Sequence, residues 1–400
     1  MSTWRQVPPS ARALLVAVLA TGLTTFMFVP LLAIELTAHG VPAGRAGLLV
    51  GALSFAGQGF SLITGLLVDR FGSKPVLAAG FGLRVAGYVL LGFGRADHPV
   101  LLVAGIGAIG VGGSLLGLAI KTMLVSGSGV PARTMLALRA TFVNIGVIAG
   151  PALGAVVYPL GFEYILAACV LSHVVLGVRL LATPGARRAA STVAEAAPGT
   201  AWRWWQWGTL FGLGVAYWAI YAQLNVVVPL AAQALTGSAA AISVVFTLNG
   251  ALVVVCQYTV LRHLFRRTAG RTLLVLGFLA FALAYAVMVP QAGWVSLLLF
   301  VVPVTAAEML VGPSLDEQAI TASSRRRTGS ALGVLSAAGA CGSLLGAGSG
   351  GGLVQAFGIV GTLWLPIIGV SVVAAAACFL LPKKDQDAED VVHSSPAQPA

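Results

Sequence analysis

Glu308 sits near the middle of VVPVTAAEMLVGPSL, a run with no other ionisable residue. A carboxylate inside an apolar span costs roughly 2.5–3.5 kcal/mol on insertion scales, so it must face a cavity, pair with a cation, or hold a proton for part of a cycle. The last option is chemistry, because a carboxyl that loads and releases a proton can couple a proton gradient to another movement. The cations that could instead lock it in a fixed salt bridge are Arg139 and Lys121. Of these Arg139 is the better functional candidate, while Lys121 and Arg84 have stems long enough to snorkel to an interface. Tyr217, Tyr221, Gln223, Asn225 and Asn249 form a second set. They suit either hydrogen bonds between helices or a large, mostly apolar pocket with a few orienting donors. A third set lies in GLLVDRFGSKP, where Asp69, Arg70 and Lys74 stand between two long apolar segments. Gly65 and Gly72 at the ends predict a sharp turn, with the acid closing one helix and the bases facing headgroups.

Such groups need a frame that keeps them out of water, and the composition supplies one. The 400 residues are 58% hydrophobic and 9% charged, with a mean hydropathy of +0.95, which excludes an ordinary soluble domain. Fifty glycines suit helices that approach closely within a bilayer. The net charge of +11 is carried by short basic clusters between apolar runs, a membrane-orientation pattern and not a nucleic-acid face. For a hydrocarbon core of about 30 Å, the apolar runs give about twelve spans. They fall near 11–36, 44–68, 75–94, 99–124, 132–158, 161–182, 205–233, 238–261, 271–290, 293–318, 327–354 and 358–381. Most bases lie on the side that carries both termini, as in Arg187/Arg188, Arg266/Arg267 and Arg325 to Arg327, against Arg45 and Arg95 opposite. The excess marks that side as cytoplasmic. The first span lacks a small-residue cleavage site and reads as a retained helix.

Several other chemistries fall away. Cys169, Cys256, Cys341 and Cys378 all lie in apolar spans without paired spacing, which argues against disulfides and a zinc site. Gly105, Gly107 and Gly110 spell G-x-G-x-x-G, but inside an apolar span with no strand before it and no acid after it. Without a phosphate-cradling loop, the expected energy source is a proton gradient, with no cofactor, no metal and no enzymatic reaction. His173 reads as hydrogen-bonded packing in span 6.

The chain also divides. A polar stretch at 183–203 separates spans 1–6 (residues 1–182) from spans 7–12 (204–382), and 383–400 reads as a disordered tail. Span 5 reads RATFVNIGVIAGPALGA, with Arg139, Asn144, Gly146, Gly150, Pro151 and Gly154. Its three glycines recur in span 11 as Gly342, Gly346 and Gly350, all at one common offset, which suggests parallel halves around a central cavity. Glycines at every fourth position line one helix face and permit a tight seam, with a gating role as the alternative. Pro151 removes a backbone donor and can hinge the helix.

Taken with these motifs, the chain resembles the major facilitator superfamily, whose loop between helices 2 and 3 reads roughly G-x-L-x-D-R-x-G-R-K. Gly65, Asp69, Arg70, Gly72 and Lys74 match it, and Ser73 departs where a second base is usual. Span 5 is similar to the G-x-x-x-G-P-x-x-G signature of the drug:proton antiporter branch, and Glu308 with Met309, Leu310 and Pro313 to a span 10 motif of its multidrug exporters. The resemblance implies an all-α integral membrane protein, twelve transmembrane helices in two pseudo-symmetric six-helix bundles. It implies proton-coupled efflux of amphiphilic small molecules by alternating access, with the 65–74 loop as a cytoplasmic gate and Glu308 as the coupling group. The expected partners are a small-molecule substrate, protons and the bilayer, with no nucleic acid, for a monomer in the cytoplasmic membrane. A nutrient importer or facilitator of the same fold, and a transport-inactive sensor or scaffold, stay open.

Overall fold

The computed structural model describes residues 7–94, 98–127, 132–182, 204–263, 268–322 and 328–381. The expected linker at 183–203 and the expected tail at 383–400 lie outside the described residues. Every span is helical, and no strand occurs among the described residues. The first half comprises α1 (Pro9–Ala38), α2a (Ala43–Gly59), α2b (Ser61–Phe71), α3 (Ser73–Phe93), α4 (Pro99–Gly127), α5 (Ala132–Val157) and α6 (Phe162–Ala182). The second comprises α7a (Trp204–Tyr221), α7b (Val227–Thr236), α8 (Ala240–His263), α9 (Gly270–Met288), α10 (Trp294–Ala322), α11 (Thr328–Phe357) and α12 (Leu365–Ala377). Among the described residues, nine helices are long and apolar enough to cross a membrane, or ten with the bent α2a/α2b pair taken as one span.

Two spans are broken where the sequence predicts continuity. Span 2 bends by 44° between α2a and α2b. A run of glycines ends there, and Ser61 Oγ donates to the Gln58 carbonyl at 2.7 Å, a side-chain bond that competes with the helix ladder. Span 7 breaks at a 3-10 turn, Ala222–Asn225. The carbonyls on its α7a side keep partners: Gln223 Nε2 donates to Ala219 O at 2.8 Å, and the Tyr285 hydroxyl donates to Ile220 O at 2.8 Å. A bilayer interior offers no water to those groups, so a break at this depth requires side-chain substitutes. The turn after span 2 also differs from expectation. Gly65 lies within α2b, not at a turn, and the reversal is made by Gly72 alone, at φ 86°, a conformation that favours glycine.

The two halves are built alike. Gly146, Gly150 and Gly154 of α5 pack on the α1 backbone at Gly22, Leu23 and Met27. Gly342 and Gly346 of α11 pack in the same way on the α7a backbone at Val215 and Ala219, while Gly350 meets the side chains of Gln223 and Val227. The recurring glycines therefore join the fifth helix of each half to its first. Each half also repeats one polar clamp: Lys74 Nζ reaches the Leu181 carbonyl at 3.5 Å, and Arg271 Nη1 reaches the Leu381 carbonyl at 3.5 Å. A base at the start of the third helix thereby meets the carbonyl end of the sixth, where the helix dipole is negative.

Between halves, α2a packs along α11 and α5 along α8. The first contact is backbone against backbone, with Gly47 against Ala347 and Gly351, and Gly51 within 2.9 Å of Leu344 Cα for a Cβ built there. Gln355 Oε1 accepts from Gly44 N at 3.0 Å, and Gln58 Nε2 donates to Ser343 Oγ at 3.4 Å. This seam joins the two halves next to residues 39–42. The apolar core divides accordingly. One cluster joins both halves, through residues such as Phe28, Leu32, Val50, Val227 and Ala347, while a second, with Leu15, Leu77, Leu116 and Ile120, stays within α1 to α6 toward the opposite end.

Candidate functional site

Glu308 projects from α10 into a face shaped by aromatic residues. Its Oε1 accepts from Asn249 Nδ2 of α8 at 3.1 Å. Around this pair stand Tyr217 and Tyr221, with ring centroids 6.0 Å apart, and Trp218 set edge-on to both at 5.4 and 5.5 Å. Tyr217 also contacts Phe281 of α9 at 6.0 Å, and its hydroxyl lies against Gly312, one helical turn below Glu308. Tyr285 is fully buried behind them, between Phe300 and a stacked Trp364. The arrangement offers one carboxyl, one amide and a set of ring faces, which can orient an amphiphile and hold or release one proton.

No Lys or Arg among the described residues lies within ion-pair distance of Glu308. The fixed salt bridge weighed from sequence is absent. Lys121 is exposed, and Arg139 is half-buried and lines a separate pocket in the first half. A neutral amide in place of a cation leaves the carboxyl free to change charge without breaking an ion pair.

That pocket, about 150 Å³, lies among α1, α3, α4 and α5, with Thr21, Thr25, Arg84, Gly113, Arg139 and Val143 on its walls. Arg84 does not snorkel. It is 8% exposed, lies along the glycine backbone of α4 at Gly112 and Gly113, and its Nη1 donates to Thr25 Oγ1 at 3.0 Å. The same Nη1 lies 3.3 Å from His173 Nε2, while His173 Nδ1 lies 2.8 Å from the Cys169 carbonyl. This pattern fixes the tautomer: Nδ1 carries the proton and donates to the carbonyl, and Nε2 accepts from the guanidinium. His173 is thus bonded packing, as its sequence context suggests, but its partner is a charge. The sequence marked Arg84 as a cation near a span that could snorkel, and left its place inside the bundle open. The available signal was its place in FGLRVAGYV, with small residues on the facing helix, since bare backbone on a neighbour leaves room for a guanidinium inside a bundle.

The remaining candidates distribute as follows. Gln223 is 3% exposed, donates to the Gly346 carbonyl at 2.8 Å in the α7a–α11 seam, and also lines a separate cavity with Ala219, Ile220 and Ser349. Asn225 is half-buried in the 3-10 turn, and Asn144 is half-buried on α5. Pro151 is buried within an α5 that continues unbroken through it. Asp69 and Arg70 are exposed on α2b, with the Arg70 guanidinium 5.4 Å from the Phe71 ring centre.

Known proteins resemble this chain in sequence and in fold. An uncharacterized MFS-type transporter of Mycobacterium tuberculosis is 31% identical over 176 residues, which is 44% of this chain and 42% of that protein. The chain thus spans less than half the length of that relative. Multidrug resistance protein MdtH of Aeromonas salmonicida is 24% identical over 365 residues, covering 89% of this chain and 90% of its own. The solved structure of the nucleoside transporter NupG superposes with a TM-score of 0.78 at 16% identity, covering 93% of this chain and 99% of that one, a likeness of fold. The profile of the Major Facilitator Superfamily matches residues 14–314, and the chain belongs to that family.

Proposed function

We propose that this protein is a secondary transporter that exports amphiphilic small molecules by alternating access, in exchange for protons carried on Glu308. The observation that carries the reading is the Glu308 carboxyl itself, placed in an apolar aromatic face and held by Asn249 at 3.1 Å instead of by a cation. A carboxyl in that setting can be neutral when protonated and regain charge when a path to water opens, which is the behaviour a coupling group needs. Two six-helix halves, 1–182 and 204–382, rock about a central cavity, and contact between α2a and α11 along their glycines would seal one end in one state of the cycle. Sidedness follows the basic clusters: both termini cytoplasmic, in a cytoplasmic membrane, with the chain acting as a monomer. Gly65, Asp69, Arg70, Gly72 and Lys74 then lie at the cytoplasmic end, where Asp69 can latch the opposite closed state by meeting the N-terminus of α11.

The test is flux in inverted vesicles with an imposed pH gradient, over a panel of dyes, antibiotics, sugars and amino acids. Export predicts accumulation of an amphiphile against its gradient. Glu308→Gln should abolish gradient-driven accumulation and retain downhill exchange. A Glu308→Gln protein with unchanged pH dependence would remove Glu308 from the coupling role.

A further inference from the structure

The pocket in the first half differs in kind from the aromatic face around Glu308. It holds two guanidinium groups and no acid. Among the described residues, neither Arg84 nor Arg139 makes an ion pair, and the Nε of each is buried without a hydrogen-bond partner. Its other polar groups are already committed as donors or acceptors. Thr21 and Thr25 donate their hydroxyls to the Ala17 and Thr21 carbonyls, each at 2.7 Å, and Thr25 accepts from Arg84. His173 uses both ring nitrogens, one on Cys169 and one on Arg84. The walls therefore present unused N–H donors and positive charge, with no carboxylate among the lining residues to meet them.

Arg84 is buried and Arg139 half-buried, and a cation held inside a bilayer without a counterion is costly, a cost that an anionic ligand would offset. Guanidinium groups pair most effectively with planar or tetrahedral oxyanions, through short charge-assisted bonds. The volume, about 150 Å³, admits a carboxylate, sulfonate or phosphate headgroup but not the body of a drug-sized molecule.

We propose that Arg84 and Arg139 form an oxyanion-binding subsite, so that the protein takes amphiphilic organic acids in preference to neutral or cationic analogues. The proposal deepens the transport reading and rests on it for the word cargo, but binding at equilibrium, with no gradient present, tests it separately. Arg84 has a second duty, since its bonds to Thr25 and His173 hold α3 to α1 and α6. Arg139 has none of these bonds and is the cleaner residue to change.

The experiment uses the full chain purified in lipid nanodiscs and three fluorescent probes of one shape: pyrenebutyrate, pyrenebutanamide and pyrenebutylammonium. Displaceable binding is read by anisotropy. The expected result is acid binding at least tenfold tighter than the amide, and weakest binding of the ammonium probe. Arg139→Gln should lower acid affinity at least tenfold and leave amide affinity unchanged, with Arg139→Lys recovering part of the loss. Arg84→Gln should act in the same direction wherever it folds, and Arg139→Gln decides the matter if it does not. Glu308→Gln should keep the preference for the acid, so a failed coupling assay and a failed anion site give different patterns. Equal affinity for acid and amide, an equal loss of both in Arg139→Gln, or no displaceable binding of the acid would each overturn the proposal.

Discussion

Replacing Gly47 with alanine should prop open the end of the bundle that carries residues 39–42. A Cβ built at Gly47 falls inside van der Waals contact with the Ala347 carbonyl oxygen and 3.0 Å from Gly351 Cα. Both are backbone atoms in helices, so no side chain can swing aside. Overpacking against an unyielding neighbour costs about 1–3 kcal/mol, which multiplies the population of the unsealed state by about 5- to 150-fold. The cost falls on the closed seam alone, because the clash exists only when α2a and α11 touch. A cysteine at Gln58, whose side chain meets Ser343 in the seam, reports it, in a background where the half-buried Cys256 and Cys341 are alanine. The measurement is its labelling rate with a membrane-impermeant maleimide applied from the 39–42 face. Gly47→Ala should raise that rate by the stated factor, and so should Gly351→Ala from the other side of the seam. Gly107→Ala is the control, since a Cβ there meets nothing within 4 Å. Equal labelling of Gly47→Ala and the control would refute the claim that this seam is what closes the end.

Asp69→Asn should impair transport while substrate binding persists; normal flux from a well-expressed variant would remove the latch role. Gly150→Ala and Gly346→Ala should each lower thermal stability in detergent, because the added Cβ meets Leu23 O and Met27 N in one case and the Ala219 backbone in the other. If the halves are mechanically equivalent, the two losses should match within about 1 kcal/mol; a loss from only one would show that the shared spacing does unequal work. Tyr285→Phe removes the donor to Ile220 O and should cost about 1–3 kcal/mol, the desolvation penalty of a buried carbonyl left unsatisfied. An unchanged melting temperature would mean that the break in span 7 does not depend on that bond.

Much of the architecture was legible because a membrane span imposes a strong rule on sequence: apolar over its length, with bases at its ends. The same rule exposed Glu308, since a lone carboxylate stands out in an apolar run. What it could not show was azimuth. Asn249 and Glu308 are both visible as polar exceptions, yet nothing in their own spans indicates that α8 and α10 turn them toward each other. Gln223 and Asn249 read identically from sequence, and one bonds a neighbouring backbone while the other meets the carboxyl. Arg84 failed for a related reason. Depth and direction decide whether a long cation snorkels or stays inside, and both depend on Gly112 and Gly113, which belong to another helix. The break in span 2 was hidden because no proline marks it, whereas the 3-10 turn of span 7 ends four residues before Pro229, which has no N–H to offer the Asn225 carbonyl.

The glycine seams carry an asymmetry in how the chain can change over generations. Glycine is the smallest residue, so every codon change that alters Gly47, Gly150, Gly346 or Gly351 adds volume and none removes it. Random substitution can therefore loosen these contacts but has no means of tightening them. A lineage that keeps the protein working has to discard nearly all variation at these sites, while the aromatic face and the cationic pocket, built from side chains of graded size, remain open to gradual retuning toward new cargo.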